Sequence, residues 1–202
     1  MTFNVSSFAA RGLPYGGARA SLFEVFLALP AGIAEPTAEA QFRFVCKATS
    51  IPQSTLGTVE VPYFGRKVKM AGNRTFDNWQ VTIMNDEDFL VRNAFEKWSS
   101  YINSHENNLR DASVIGEQGL LSYRTTATVR HYAKTGVFAG GTSAGDAAIP
   151  TREYTFVNIF PVAVSNIDLS WETTDAIEEF TVEFAYDYWT VDRDVTGRVI
   201  DT

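Results

Sequence analysis

Residues 178–189, near the C-terminus of the chain, alternate apolar and polar side chains. One set is aromatic or branched, and the other is mostly acidic or small. A strand with one buried face shows this period of two, because successive side chains point to opposite faces of a sheet. The run therefore predicts a β-strand, and we expect a fold in which such strands bury aromatic side chains.

Shorter strand-like stretches recur along the chain, separated by residues typical of turns. The 15 Phe, 8 Tyr and 4 Trp residues also favour half-buried pleated surfaces. We expect a mainly β fold, an antiparallel β-sandwich or barrel with one flanking α-helix. Phe42, Phe44 and Cys46 are predicted to share one strand face, and Pro62 favours a sheet edge or an extended loop arm. The predicted strands are residues 21–29, 41–48, 58–63, 78–84, 121–133, 152–164, 165–171 and 178–189.

One segment has helical periodicity, and it predicts a helix over residues 86–104. Asn85 is positioned to cap this helix, and the three acidic residues that follow it complement the positive end of the helix dipole. We expect the apolar stripe to pack on the sandwich, above all through Phe95, Trp98 and Ile102. The apolar side chains at this spacing are Val91, Ala94, Phe95, Trp98 and Ile102.

These elements predict a single β-sandwich domain over residues 21–190. Residues 1–20 read as an N-terminal arm that becomes ordered only against a partner, or not at all, and residues 191–202 as a C-terminal tail. Within the domain, residues 50–73 are predicted to form a long functional loop, because they contain two prolines and three glycines. Residues 135–150 are interpreted as a Gly/Ala-rich insertion.

Patterns typical of an enzyme are nearly absent from the sequence. Residues 141–145 match the G-x-S-x-G pattern of a serine nucleophile, but no apolar strand precedes them and both histidines lie upstream. We interpret them as a flexible loop, and a serine hydrolase acting through Ser143 stays an alternative. Two histidines and one cysteine do not form a zinc spacing, and Cys46 is interpreted as a buried, inert thiol. The sequence thus predicts no catalytic residue, no metal and no cofactor.

The charge of the chain disfavours tight binding of nucleic acid. The formal net charge is −7, whereas proteins that hold DNA by its phosphates are normally basic. Passage of DNA without tight binding is compatible with an acidic surface. No transmembrane segment is predicted, because no stretch is long and apolar enough, and residues 22–30 are interpreted as a strand rather than a signal peptide.

Two clusters of opposite charge lie far apart in the sequence. They are either two solvated faces or the two ends of a bipolar subunit, in which the basic end meets the acidic end of the next copy. The basic cluster is Arg66, Lys67, Lys69 and Arg74. The acidic cluster is Glu172, Asp175, Glu178, Glu179, Glu183 and Asp187.

Two stretches, residues 50–103 and 154–189, resemble the tail tube proteins of contractile-tailed bacteriophages. The first carries an IP step, the loop VPYFGRKVKMAG, the strand-to-helix entry WQVTIMND, and a helix with Phe95 and Trp98. The second carries Phe160 with the proline after it, and the alternating strand that ends at Trp189. Together they cover roughly half of the chain, in the order of the family.

This resemblance implies a β-sandwich subunit that closes into hexameric rings with a composite inner β-barrel, and rings that stack into a tube. The loop 50–73 is expected to reach the next ring, with Arg66, Lys67, Lys69 and Arg74 as stacking contacts. The acidic face is expected to point to the lumen or to an adjoining subunit through Glu179, Glu183 and Asp187. Expected partners are further copies of the chain, the tail sheath protein, the baseplate hub and the tape-measure protein.

The expected location is the tail of the virion, after assembly in the host cytoplasm, and the expected role is a conduit for genome delivery. Two alternatives remain beside this reading. One is the inner tube protein of a contractile injection or type VI secretion system, whose lumen passes protein. The other is a monomeric β-sandwich binding module, for example for carbohydrate, with an exposed aromatic platform.

Overall fold

The computed structural model of the protein describes residues 8, 11, 13, 17–33, 35–110, 122–134, 150–172 and 175–193. Most of the predicted arm and tail, residues 135–149 of the predicted insertion, and the G-x-S-x-G pattern lie outside these residues. The described strands are β1 (Phe23–Leu27), β2 (Cys46–Thr49), β3 (Thr55–Tyr63), β4 (Arg66–Thr75), β5 (Trp79–Met84), β6 (Thr125–Tyr132), β7 (Pro150–Val164), β8 (Glu179–Ala185) and β9 (Tyr188–Arg193). The described helices are α1 (Pro36–Val45) and α2 (Leu90–Ile102).

The described strands pair antiparallel throughout, which confirms the predicted mainly β, antiparallel fold. A seven-stranded sheet has the order β1-β6-β7-β8-β5-β2, with β9 also alongside β7, and β3 and β4 form a separate hairpin. The long strand β7 pairs with β6 and β9 through its first part and with β8 through its last residues. One hydrophobic core takes side chains from both halves of the sheet and from both helices.

The C-terminal run bends at Asp187, so it forms two strands and not the single strand predicted over residues 178–189. Asn158 has a left-handed backbone, with φ of 59°, and its side-chain amide donates to the Asp187 carboxylate at 2.7 Å. Arg124 donates to the same carboxylate at 3.0 Å. Beyond the bend the alternation is reversed, because Tyr188 is exposed whereas Trp189 packs against the core.

The segment predicted as a strand over residues 41–48 is mostly helical, and this prediction was wrong. Helix α1 has Pro36 in its first turn, where the missing N–H group has no helical acceptor to lose. Its buried side chains Ala38 and Phe42 are four residues apart, so both face the core. Phe42 meets the ring of Phe95 edge to face at 5.8 Å, while Phe44 points outwards and is 74% exposed.

The second helix, α2, begins at Leu90, four residues later than predicted, and no side chain caps its start. The predicted capping groups are used in tertiary hydrogen bonds. The side chain of Asn85 donates to Glu178 at 3.0 Å, and Gln41 donates to Asp86 at 2.6 Å. Phe89 holds the N-cap position with a left-handed backbone, φ 52°.

The inner face of α2 is a stripe of apolar side chains. Val91, Ala94, Phe95 and Trp98 are buried, and Ile102 packs against the core while partly buried. The indole N–H of Trp98 donates to the carbonyl of Tyr123 at 2.9 Å, so the polar atom of this buried ring has a partner. The helix therefore closes one side of the core through the side chains that the periodicity singled out.

The predicted strand over residues 165–171 is not formed. Strand β7 ends at Val164, the last residue that pairs with β8. After it, the Asn166 side chain donates to Asp168 at 2.8 Å, a local bond typical of turns. Leu169 and Trp171 point into solvent, so the alternation in this stretch does not reflect a buried sheet face.

Candidate assembly surfaces

The stretch predicted as the loop 50–73 is mainly a β-hairpin, formed by β3 and β4. Within the part of the chain that the structure describes, these strands pair only with each other. Both strands are therefore edges, which is why Pro62, a residue without an N–H donor, is tolerated in β3. Gly57 and Gly72 lie opposite each other at a bulge, where a Cβ atom on Gly72 would be 3.1 Å from the Gly57 carbonyl oxygen.

Phe64 and Gly65 form the tip of the hairpin. Their φ angles are 45° and 81°, and a two-residue turn of this kind requires positive values at both positions. Gly65 adopts such an angle readily, but for phenylalanine it is strained. The Phe64 ring is 91% exposed and meets the neighbouring Tyr63 ring edge to face at 4.6 Å. A strained, solvent-exposed aromatic side chain at a tip is typical of a surface that contacts a partner.

One face of the hairpin is apolar and open to solvent. Val61 is opposite Val68, and Val59 is opposite Met70. In a half-buried hairpin such pairs pack on a core, yet these side chains are 40–55% exposed. The apolar face of the hairpin consists of Val59, Val61, Tyr63, Val68 and Met70.

The four basic residues predicted as stacking contacts all lie on β4. Lys67 and Lys69 are on the polar face, where the Lys67 ammonium lies 2.8 Å from the Glu60 carboxylate. Arg66 is on the same side as the apolar face, next to the tip, and Arg74 is near the base. The structure therefore brings the four residues onto one exposed strand, but on both of its faces.

The three acidic residues predicted to face a lumen or a neighbour lie along β8 and the bend after it. Each is engaged within the subunit. Glu179 forms an ion pair with Lys47, and Glu183 accepts a hydrogen bond from the Asn78 side chain at 2.8 Å. Asp187 is the carboxylate that holds the bend, as described above.

Sequence reasoning missed a second exposed apolar group, which lies between β7 and β8. Leu169, Trp171 and Ile177 are 78%, 102% and 68% exposed. The available signal was the turn-forming Ser165, Asn166 and Asp168 directly after β7, which favour a loop over a further strand. We call residues 165–172 and 175–178 the acidic loop, because their charged residues are Asp168, Glu172, Asp175 and Glu178.

A further chemically notable group is the Cys46 thiol, which packs against the hydrophobic core while partly buried. Burial raises the pKa of the Cys46 thiol to about 12, so the thiolate that reacts with electrophiles is scarce near neutral pH.

Among the described residues, no group of three or more His, Cys, Asp or Glu side chains is placed to hold a metal ion. No described helix is long and apolar enough to cross a membrane.

A β-rich subunit whose exposed apolar surface projects on a hairpin has the features of a protein that assembles through that surface. The family described as phage tail tube protein matches residues 18–192, and the chain belongs to this family. The tail tube protein of Enterobacteria phage T4 is 33% identical over 148 residues, which cover 73% of this chain and 80% of that protein. The tail tube protein of Serratia phage KSP90 is 26% identical over 149 residues, covering 72% and 74%.

Solved structures with a similar fold come from contractile injection systems. One chain is from the sheath/tube terminator of an extracellular contractile injection system in its extended state, with a TM-score of 0.56 at 13% identity over 88% of this chain and 97% of that chain. Another is from the baseplate of the anti-feeding prophage, with a TM-score of 0.55 at 12% identity over 89% and 97%. These likenesses concern the fold, and family membership gives this chain a structural role in a tail tube.

Proposed function

We propose that the protein closes into hexameric rings, that the rings stack into a hollow tube inside a contractile sheath, and that the tube conducts the phage genome. The role is mechanical, without a catalytic step. The hairpin β3–β4 is the observation that carries this proposal. It has two open strand edges and an exposed apolar face, features that favour aggregation in a monomer and that ring closure and stacking remove.

The proposed partners follow from the relatives and from charge. The similar solved chains come from tube, sheath and baseplate assemblies, which supports the sheath protein and the baseplate hub as partners. A tape-measure protein is expected in the lumen before ejection. The net charge of −7 favours DNA passing without being held, because an acidic wall repels phosphates. Assembly takes place in the host cytoplasm, and the product is part of the virion tail.

Phage relatives favour a genome conduit over the tube of a secretion system. The relative at 33% identity is a phage tail protein, whereas the injection-system chains are similar in fold at 12–13% identity. We further propose that Arg66, Lys67, Lys69 and Arg74 take part in ring stacking. Glu179, Glu183 and Asp187 are proposed to face the lumen or an adjoining subunit while keeping their contacts within the subunit.

Negative-stain electron microscopy of the purified protein at high concentration tests the assembly. Wild type is expected to form hollow tubes or stacked rings with six-fold end views. The variant Val61→Thr/Val68→Thr keeps β-branched side chains but replaces an exposed apolar pair by a polar one, so we expect less polymer at an unchanged melting temperature. A wild-type protein that stays monomeric and does not extend added baseplates would contradict the proposal.

A further inference from the structure

The hairpin and the acidic loop leave opposite ends of the same strands. Residues 76–78 connect the hairpin to β5 at Trp79, which pairs with Phe184 in β8. At the other end of β5, Met84 pairs with Glu179, where the acidic loop joins β8. β5 has six residues, so the two attachment points are about 17 Å apart at ~3.4 Å per residue step. The subunit therefore has a hairpin end and an acidic-loop end.

The acidic loop combines exposed apolar side chains with a single sign of charge. It has four carboxylates and no Lys or Arg in its described residues. Two of the carboxylates are held by hydrogen bonds within the subunit, since Asp168 accepts from Asn166 and Glu178 accepts from Asn85. Trp171 is fully exposed beside them, and an exposed tryptophan is among the side chains that contribute most when they are buried in an interface.

The hairpin is complementary to the acidic loop in both respects. Residues 55–75 contain four basic side chains and one acidic side chain, for a net charge of +3. The acidic side chain, Glu60, is paired with Lys67. The ion pairs among the described residues include neither Arg66, Lys69 nor Arg74. Leu169, Trp171 and Ile177 are exposed in their own subunit. The apolar face of the hairpin is a surface against which they can be buried.

We propose that the hairpin of one copy docks on the acidic loop of the copy above or below it in the stack. This inference rests on the proposed tube, and it names the two surfaces that meet between rings. Because the surfaces differ and lie at opposite ends of the subunit, the contact is head to tail and does not close, so it continues from ring to ring. Apolar contact contributes the burial, and the opposite charges fix the orientation of the two copies.

Intermolecular cross-linking tests this pairing. The test protein carries Pro62→Cys next to the hairpin tip and Ser170→Cys in the acidic loop, in a Cys46→Ala background that removes the native thiol. A short bismaleimide is added under the conditions of the microscopy, and the products are separated on denaturing gels. Each single-cysteine protein is the matched control. The double variant is expected to give a ladder that extends beyond six subunits, whereas the controls stop at dimers.

The alternative outcomes are distinguishable. A ladder that stops at six would place the contact within a ring and overturn the inference. Tubes in the micrographs without a ladder would also overturn it, while the proposed tube function would stand. Neither tubes nor cross-links, with added baseplates as well as without them, would contradict both proposals, because the docking itself predicts association.

Charge reversal provides an independent test. Arg66→Glu/Lys69→Glu places like charges opposite the acidic loop, so we expect at least about a tenfold loss of polymer at low salt. Adding Asp168→Lys/Glu172→Lys to the same chain should restore most of the polymer, because the signs are again opposite. If the four-residue variant polymerises no better than the hairpin variant, while both melt as the wild type does, the docking surface is wrong.

Discussion

At the residue scale, the left-handed backbone of Phe64 at the hairpin tip lowers the stability of the subunit, although its side chain is exposed. Asn-Gly is the preferred pair for a turn in which both central residues have positive φ, because asparagine tolerates the left-handed region. The chain has Phe-Gly instead, with φ of 45° at Phe64. The 91% exposed ring gains little in the isolated subunit beyond its edge-to-face contact with Tyr63, so its main benefit is expected in the assembled state.

The variant Phe64→Asn tests this interpretation. We expect its free energy of unfolding to rise by about 1 kcal/mol, which raises the melting temperature by about 2–4 °C in a domain of this size. Its polymer yield should fall, because the ring at the hairpin tip is lost. Calorimetry and sedimentation measure the two quantities. A variant with a higher melting temperature and full polymer yield would show that the Phe64 ring has no role in assembly.

Cys46 makes a prediction about alkaline stability. Burial raises the pKa of its thiol from 9.0 to about 12, so the folded state keeps the proton more tightly than the unfolded state does. The stabilisation is complete below pH 9 and is lost between pH 9 and 12, at about 1.4 kcal/mol per pH unit. Burial also raises the pKa of the Tyr132 hydroxyl to about 12, so this tyrosine too affects stability at alkaline pH. The contribution of Cys46 is therefore measured against a variant that lacks the thiol and retains Tyr132.

Cys46→Ala is that variant, and its unfolding free energy should fall less steeply above pH 9 than that of the wild type. Urea titrations at pH 8, 9, 10 and 11 measure the two slopes. The native thiol should also react far more slowly with iodoacetamide at pH 8 than the thiol in urea does. Equal alkylation rates in the native and denatured protein would show that the thiol is accessible.

At the scale of single elements, two tryptophans lie in contrasting environments, and substituting one tests stability while substituting the other tests assembly. Trp98 in α2 is fully buried and donates to the Tyr123 carbonyl, whereas Trp171 in the acidic loop is fully exposed. Trp98→Ala is expected to cost about 3–5 kcal/mol of unfolding free energy, because it leaves a cavity in the core. Trp171→Ala should change that free energy by less than about 0.5 kcal/mol and reduce polymer yield. Denaturant titration of both variants measures the difference, and a comparable loss in Trp171→Ala would contradict the exposed position.

Elements with one dominant periodicity could be predicted from the sequence, and those with two competing patterns could not. The stripe of α2 and the alternation in β5 each match a single period, and both elements formed. At the end of α1 and the start of β2, Phe42, Phe44 and Cys46 alternate like a strand, but Ala38 and Phe42 also have helical spacing. The helix prevails because Phe42 packs on Phe95 in the other helix, a tertiary contact that no local pattern contains.

The hairpin and the bend show a different limit of sequence reasoning. Three glycines and two prolines made residues 50–73 resemble a loop, yet Gly57 and Gly72 serve the close approach of two strands. The bend depends on Asn158, Asp187 and Arg124, which are far apart in the sequence and meet only in the fold. The basic residues of the candidate surface could be named in advance, but not the apolar face beside them, because exposure is decided by the rest of the molecule.

At the scale of the whole molecule, the separation of charge predicts that assembly depends on salt. Screening shortens the reach of exposed charges to about 8 Å at 0.15 M ionic strength. Polymer yield should therefore fall as salt rises. The triple variant Arg66→Ala/Lys67→Ala/Lys69→Ala should give less polymer at low salt and a weaker dependence on salt. Sedimentation across a salt series measures both effects.

A control with the same change in net charge separates local contacts from general repulsion. Lys97, Lys134 and Arg152 lie outside the hairpin, and replacing all three by alanine also removes three positive charges. This control should retain the salt dependence of the wild type. A hairpin variant whose polymer yield matched the wild type at every salt concentration would remove Arg66, Lys67 and Lys69 from the stacking interface.

The hairpin and the acidic loop lie at opposite ends of β5, so a head-to-tail polymer of this chain has a direction. In the proposed stack, one extremity presents hairpins and the other presents acidic loops, so sealing the two ends requires two different complementary surfaces. An initiator that offers a mimic of either surface fixes the polarity of every subunit added after it. A terminator must imitate the other surface, and the two accessory proteins need have no chemistry in common.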